Sequence, residues 1–181
     1  MDVQTKLLPL LDEAVAIGTK TLVITGGEPF LHPDLFLAVR EAKARGLTVN
    51  ITTNGTLIDK RWDELMASGV DSLSFSLDGM AETHDRIRGQ KGAWKRTMNG
   101  LKRIRRDAPE VATSIYFVVT NQNVAELTTV YDLARSMDAH FDFWPVNDAE
   151  DLYLRSEEEK QAYTDAVAHI AQNDPQVAAR K

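Results

Sequence analysis

Gly26-Gly27-Glu28-Pro29 follow directly on the apolar, β-branched run Leu22-Val23-Ile24. The two glycines free the backbone of Cβ atoms, so the chain can turn sharply there or come close to a ligand. The Glu28 carboxylate suits an ammonium group or a pair of hydroxyls, and Pro29 confines Glu28 to an extended conformation. The plainer use of the same residues is an ordinary strand-to-helix turn, its glutamate favouring a helix N-terminus by ~0.3–1 kcal/mol. A phosphate loop is the weakest reading, because neither a third glycine nor Lys-Ser/Thr follows.

Further polar clusters come at intervals: Thr53-Asn54-Gly55, Ser76-Leu77-Asp78-Gly79 and Thr120 to Asn123. Ser76 and Asp78 suit a ligand or the capping of a turn into the next helix. Arg88 carries a fork that matches a carboxylate bidentately, whether on a ligand or on Asp85 or Glu82 beside it. His84 suits the organisation of its loop more than chemistry, and His32, His84 and His140 are too dispersed to form a metal triad. Trp144, beside Pro145, fits either stacking on a ligand or a core position at a strand end.

Elements must position these groups. Leu7, Leu8, Leu11 and Ala14 or Val15 mark a helix over 4–18. Strands are predicted at 20–25, 47–52, 71–77, 112–119 and 139–144, and helices at 34–45, 58–68, 93–106 and 124–136. Asn54-Gly55 could turn a hairpin, but the helical pattern after it favours a βα turn. Segments 80–92 and 146–155 read as loops. Ser156 with Glu159 forms a capping box for a last helix, and the tail beyond Asn173 is expected to fray. Strands separated by helices imply parallel pairing with right-handed crossovers. The expectation is an α/β fold, a single domain over 1–181, with about five strands in a partial parallel (β/α) barrel. Its polar strand-end loops would share one edge.

The 181 residues carry a formal net charge of -6, with 43% apolar and 27% charged residues. That is an ordinary soluble composition, and it disfavours nucleic acid and acidic membrane as default partners. The basic stretch 95–106 reads as the solvated face of an outer helix. No apolar run approaches the roughly 20 residues that span a bilayer, and the opening Met-Asp-Val-Gln-Thr-Lys does not resemble a signal peptide, so a cytoplasmic location is expected. There is no cysteine, which excludes disulfides and thiolate-held metal centres within the chain.

Taken together, these clusters resemble the radical SAM superfamily. Gly26-Gly27-Glu28-Pro29 resembles its glycine-glycine-glutamate-proline motif. Thr53-Asn54-Gly55 and Ser76-Leu77-Asp78-Gly79 fit the next two strand ends. His84-Asp85 with Arg88-Gly89 resembles a loop of peptide-modifying and cofactor-maturing members. The likeness covers roughly residues 10–145. It implies an incomplete TIM-like (β/α)6 core that holds S-adenosylmethionine (SAM) against a [4Fe-4S] cluster. By this resemblance Gly26, Gly27 and Glu28 meet the methionyl amine, Ser76 and Asp78 serve the ribose or carboxylate, and Arg88 pairs with a carboxylate. Thr53 and Asn54 line the floor, and backbone near 118–121 and 143–145 flanks the adenine. The intact relative would cleave SAM reductively to a 5′-deoxyadenosyl radical that abstracts hydrogen from a substrate the sequence does not identify.

The family's three cysteines, spaced Cys-x3-Cys-x2-Cys, and the strand before them have no counterpart here. The chain therefore reads as strands two to six of such a core, a fragment inactive alone; the alternative is a cluster-less binding or scaffold module. An unpaired edge beside strand 20–25 would then offer a surface for self-association.

Overall fold

The computed structural model of the chain describes residues 3–174. The first two residues and nearly all of the tail expected to fray lie outside the described residues. A π-helical turn, Val3–Leu7, leads into α1 (Leu8–Ala16). Then follow β1 (Thr21–Ile24), α2 (Leu35–Ala44), β2 (Thr48–Thr53), α3 (Trp62–Met66), β3 (Ser72–Ser76), α4 (Ala81–Ile87) and α5 (Ala93–Asp107). The rest is β4 (Ala112–Val119), α6 (Leu127–Ser136), β5 (His140–Pro145) and α7 (Glu157–Asn173). Five strands alternate with helices, which is the α/β class expected. No helix among the described residues is long and apolar enough to cross a membrane.

The described residues divide into two compact units. One runs through Phe75 and includes Asn99–Thr113; the other comprises Ser76–Met98 and the described residues from Ser114 onward. In the first, β1 pairs with β2 and β2 with β3, both in parallel, with Ile24 opposite Ile51 and Ile51 opposite Leu73. The period of two puts Val49, Ile51 and Leu73 on buried faces, each 0% exposed. Phe36, Val39 and Ala42 form the buried stripe of α2, and α2 packs on β2. Parallel neighbours need a crossover, so Asn54-Gly55 turns into a 3-10 turn (Asp59–Arg61) and α3 rather than a hairpin.

In the second unit β4 and β5 are parallel, with Ile115 opposite Phe141 and Phe117 opposite Phe143. Tyr131 from α6 meets Phe141 edge-on at 5.6 Å, and Phe141 stacks on Phe143 at 5.8 Å. Each buried ring contributes roughly 1.5–3 kcal/mol of apolar burial. The capping box of Ser156 and Glu159 starts α7 as expected, and Ala166 and Ile170 are its buried residues.

Segment 80–92 departs from expectation, since it contains α4. Thr83 and Arg86 read as loop because their partners are distant in sequence. Thr83 binds Glu126, Arg86 binds Gln122, and Asp85 caps the turn into α5. Helix 58–68 is shortened to a 3-10 turn and α3, and segment 146–155 holds a 3-10 turn at Glu150–Leu152.

Candidate functional site

The first cluster lies at the C-terminal ends of β1 and β2. Gly26 has φ +144, a conformation that L side chains rarely adopt, and both Gly26 and Gly27 are exposed. A Cβ on either would meet no atom within 4 Å, so packing does not require these glycines; they leave their backbone open. That open backbone borders a cavity of about 420 Å³, also lined by Leu7, Val23, Ile24 and Leu35.

Glu28 is extended, with φ -141 and ψ 106, as Pro29 requires. Its carboxylate faces inward. Oε1 accepts the Thr53 hydroxyl at 2.7 Å and the Phe30 N–H at 3.1 Å, and Oε2 accepts the Asn54 N–H at 2.7 Å. A carboxylate offers about four lone-pair sites; two are spent on holding the two strand ends together and a third on the local turn at Phe30. Thr53 also accepts the Gly55 N–H at 3.0 Å, and the Asn54 side chain accepts the Thr56 N–H at 2.9 Å. The glutamate thus works as a clamp between the ends of β1 and β2, while the Gly26-Gly27 backbone stays exposed. Past Pro29, the Arg61 guanidinium binds the carbonyls of Phe30, His32 and Pro33.

The second cluster follows β3. Asp78 is 7% exposed, and both of its carboxylate oxygens accept from Arg88, the Nη2 donor lying at 3.0 Å. Arg88 therefore pairs with Asp78, while Asp85 accepts the Gly92 and Trp94 N–H groups. Ser76 is the last residue of β3 and is half-buried. The Leu77 N–H donates to the Tyr116 carbonyl at 3.0 Å, which continues the chain beside β4.

Asn123 and Glu126, beyond β4, fix this loop. Asn123 is 3% exposed; its Nδ2 donates to the carbonyls of Asp78 at 3.1 Å and Val118 at 2.9 Å, and its Oδ1 accepts the Thr120 N–H at 2.7 Å. Glu126 accepts the Met80 N–H at 2.6 Å and the Thr83 hydroxyl at 2.7 Å. Gly79 allows that approach: a Cβ there would lie 2.5 Å from Glu126 Oε2. The backbone at 118–121 and 143–145 is adjacent, with Val118 opposite Trp144 and the Val146 N–H on the Val119 carbonyl at 3.0 Å.

Two titrations are displaced in this cluster. His84 is 1% exposed, and burial pushes its imidazole below the ordinary range; Asp78 opposes that shift and Arg88 adds to it. Its Nδ1 accepts the Asp78 N–H at 3.1 Å, which requires a neutral ring. Asp78 Oδ2, 3.5 Å away, therefore does not face an imidazolium. The backbone N–H groups of Trp94 and Gly92 hold the Asp85 carboxyl below the usual range.

Sequence reasoning expected Gly26, Gly27, Glu28, Asn54, Ser76, Asp78 and Arg88 to converge at one edge; the structure joins Glu28 to Asn54 within one unit and Asp78 to Arg88 within the other. It missed Arg61, Asn123 and Glu126 as organisers. For the last two, a signal existed in the Asn-x-x-Glu spacing directly after a strand.

Iron–sulfur clusters are held by cysteine thiolates. The chain has no cysteine, and among the described residues no group of three or more His, Asp or Glu could hold a metal ion. The donor set does not fit a cluster.

A family model described as the radical SAM superfamily matches residues 3–134. The chain is 39% identical over 131 residues to the AdoMet-dependent heme synthase of Methanosarcina barkeri, covering 71% of this chain and 37% of that protein. It is 33% identical over 132 residues to the PqqA peptide cyclase of Gluconobacter oxydans, covering 72% and 36%. The chain thus spans little more than a third of these curated relatives. Among solved structures, Streptococcus suis SuiB bound to S-adenosylmethionine superposes with TM-score 0.74 at 17% identity, covering 93% of this chain and 40% of that one. A domain of pyruvate-formate lyase-activating enzyme from Bacteroides vulgatus gives TM-score 0.61 at 19% identity, covering 81% and 94%. Those two likenesses show the fold, an incomplete TIM-like (β/α) barrel. The motif-bearing strand ends and the matched span agree: this chain, without any cysteine, belongs to the radical SAM superfamily.

Proposed function

We propose that this chain is the SAM-holding portion of a radical SAM enzyme, with the cluster ligands supplied from outside these 181 residues. The observation that carries the reading is the open Gly26-Gly27 backbone at the end of β1, held in place by Glu28. The residues fit the methionyl end of SAM. Backbone carbonyls of Gly26 and Gly27 accept from its ammonium, and the remaining lone pair of Glu28 adds negative charge nearby. Ser76 and Asp78 serve the ribose or carboxylate. Arg88 orients Asp78 through a two-pronged ion pair while its half-exposed fork offers further donors. The backbone at 118–121 and 143–145 receives the adenine.

SAM bound to a complete enzyme of this family supplies a 5′-deoxyadenosyl radical for hydrogen abstraction. This chain's residues contribute the binding and orientation of that molecule, and no residue here donates an electron. The open edge of β1 supports the view that further polypeptide is required. Among the described residues β1 pairs only with β2, and Val23 is 55% exposed.

Calorimetric titration with SAM tests the reading. A millimolar dissociation constant, with no 5′-deoxyadenosine formed by the chain alone under reducing conditions, is expected. A micromolar constant would favour the other reading, a cluster-less module evolved to bind on its own.

A further inference from the structure

Arg61 falls in the segment 58–68 expected to be helical and is not among the residues the sequence singles out. In the structure every donor of its guanidinium is engaged. Nη1 donates to the Phe30 carbonyl at 3.1 Å and the His32 carbonyl at 2.8 Å. Nη2 donates to the Pro33 carbonyl at 3.3 Å and to Glu64 Oε2 at 2.7 Å, and Nε donates to Glu64 Oε1 at 2.9 Å. The guanidinium carbon lies 4.5 Å from the Phe36 ring centre. The side chain is only 16% exposed.

We propose that Arg61 is the positioning residue of the Gly26–Glu28 lip, holding segment 30–33 so that the two glycine carbonyls face the site at a fixed angle. This rests on the reading of that lip as the methionyl site. The lip is pinned on both sides by groups drawn from one connection, residues 53–61. Thr53 and Asn54 seize the Glu28 carboxylate, and Arg61 seizes the carbonyls that follow. The segment after β2 is therefore the mould on which the glycine turn is cast. Only a planar fork with five donors can bridge three carbonyls, grip Glu64 bidentately and lie on an aromatic face. A lysine ammonium offers three donors and no plane, so Arg61→Lys keeps the charge and loses the grip.

The test compares wild type with Arg61→Lys and Arg61→Met, by residue-resolved amide hydrogen exchange and by SAM titration. The reporting amides are Phe30, Leu31 and His32, whose N–H groups bind Glu28 Oε1, the Glu28 carbonyl and the Pro29 carbonyl. Both variants are expected to keep wild-type protection at Ile51 and Leu73. Exchange at 30–32 should quicken about tenfold, and the SAM dissociation constant should rise about fivefold or more. A purely structural arginine would lower the unfolding midpoint without moving SAM affinity in the folded variant. Unchanged exchange at 30–32 overturns the proposal, as does faster exchange there with SAM affinity within about twofold of wild type. If SAM fails to perturb Gly26 and Gly27 in the wild type, the methionyl reading falls. The exchange data then decide the holding role of Arg61 by themselves.

Discussion

Glu28 and Thr53, 25 residues apart in the chain, meet at 2.7 Å, the threonine hydroxyl donating to the carboxylate. This contact, with the Asn54 N–H on the other oxygen, makes the glutamate of the glycine motif a fastener between two strand ends. Its role in the motif is then to fix where the glycines lie.

Glu28→Gln presents an amide nitrogen to one of those donors and leaves it without an acceptor. A loss of roughly 1.5–3 kcal/mol is expected, the cost of a hydrogen bond to a charged group. Urea unfolding of the variant measures it. A midpoint equal to wild type would show that the carboxylate does not clamp.

Gly79 and Gly27 should respond oppositely to alanine. At Gly79 the φ is +151 and the new Cβ would lie 2.5 Å from Glu126 and 2.7 Å from Thr83. Gly79→Ala is therefore expected to destabilise by about 1–3 kcal/mol through strain and displacement of Glu126. Gly27 has no atom within 4 Å of such a Cβ and no positive φ. Gly27→Ala should unfold at the wild-type urea concentration while weakening SAM binding. Equal unfolding midpoints for the two variants would contradict the geometry.

Asn123 is a buried amide whose hydrogen bonds join the Asp78, Val118 and Thr120 backbones. Asn123→Leu fills similar space and leaves those groups unpaired, each at about 1–3 kcal/mol and not additively. Amide exchange should quicken at Thr120 and in the 76–80 turn before it does at Phe117. Uniform loss of protection across β4 would instead indicate a general core defect.

His84 makes stability depend on pH. Burial lowers its folded-state pKa below the ordinary 6.5, so the unfolded chain takes up the proton first as pH falls. Its contribution is fully present above 6.5 and is lost progressively as pH drops from there towards the depressed folded value. Protonation would also aim an Nδ1–H at the Asp78 N–H it now accepts. Wild type should therefore lose more stability than His84→Gln between pH 8 and pH 5 in urea titrations. Parallel pH profiles would remove His84 from the account.

The fold was legible where structure is local. Runs of apolar residues, β-branched in β1, β2 and β4, closed by glycine, proline or polar turns marked the strands, and β4 spans 112–119 as its pattern indicates. The strand-end clusters were legible through short motifs. What escaped were residues whose meaning depends on distant partners. The helix α4 looked like loop because Met80 and Thr83 find their acceptor in Glu126, 46 and 43 residues away. Arg61 escaped because its carbonyl partners lie about 30 residues earlier, at Phe30 and His32, and no periodicity marks such a contact.

The central claim is that Gly26 and Gly27 receive the methionyl end of SAM, and residue-resolved NMR titration of the 181-residue chain with SAM tests it most directly. The expected result is a millimolar dissociation constant with amide shifts at Gly26, Gly27 and Asn54, and loss of those shifts in Gly27→Val. Shifts confined to other residues, or unchanged binding by Gly27→Val, would contradict it.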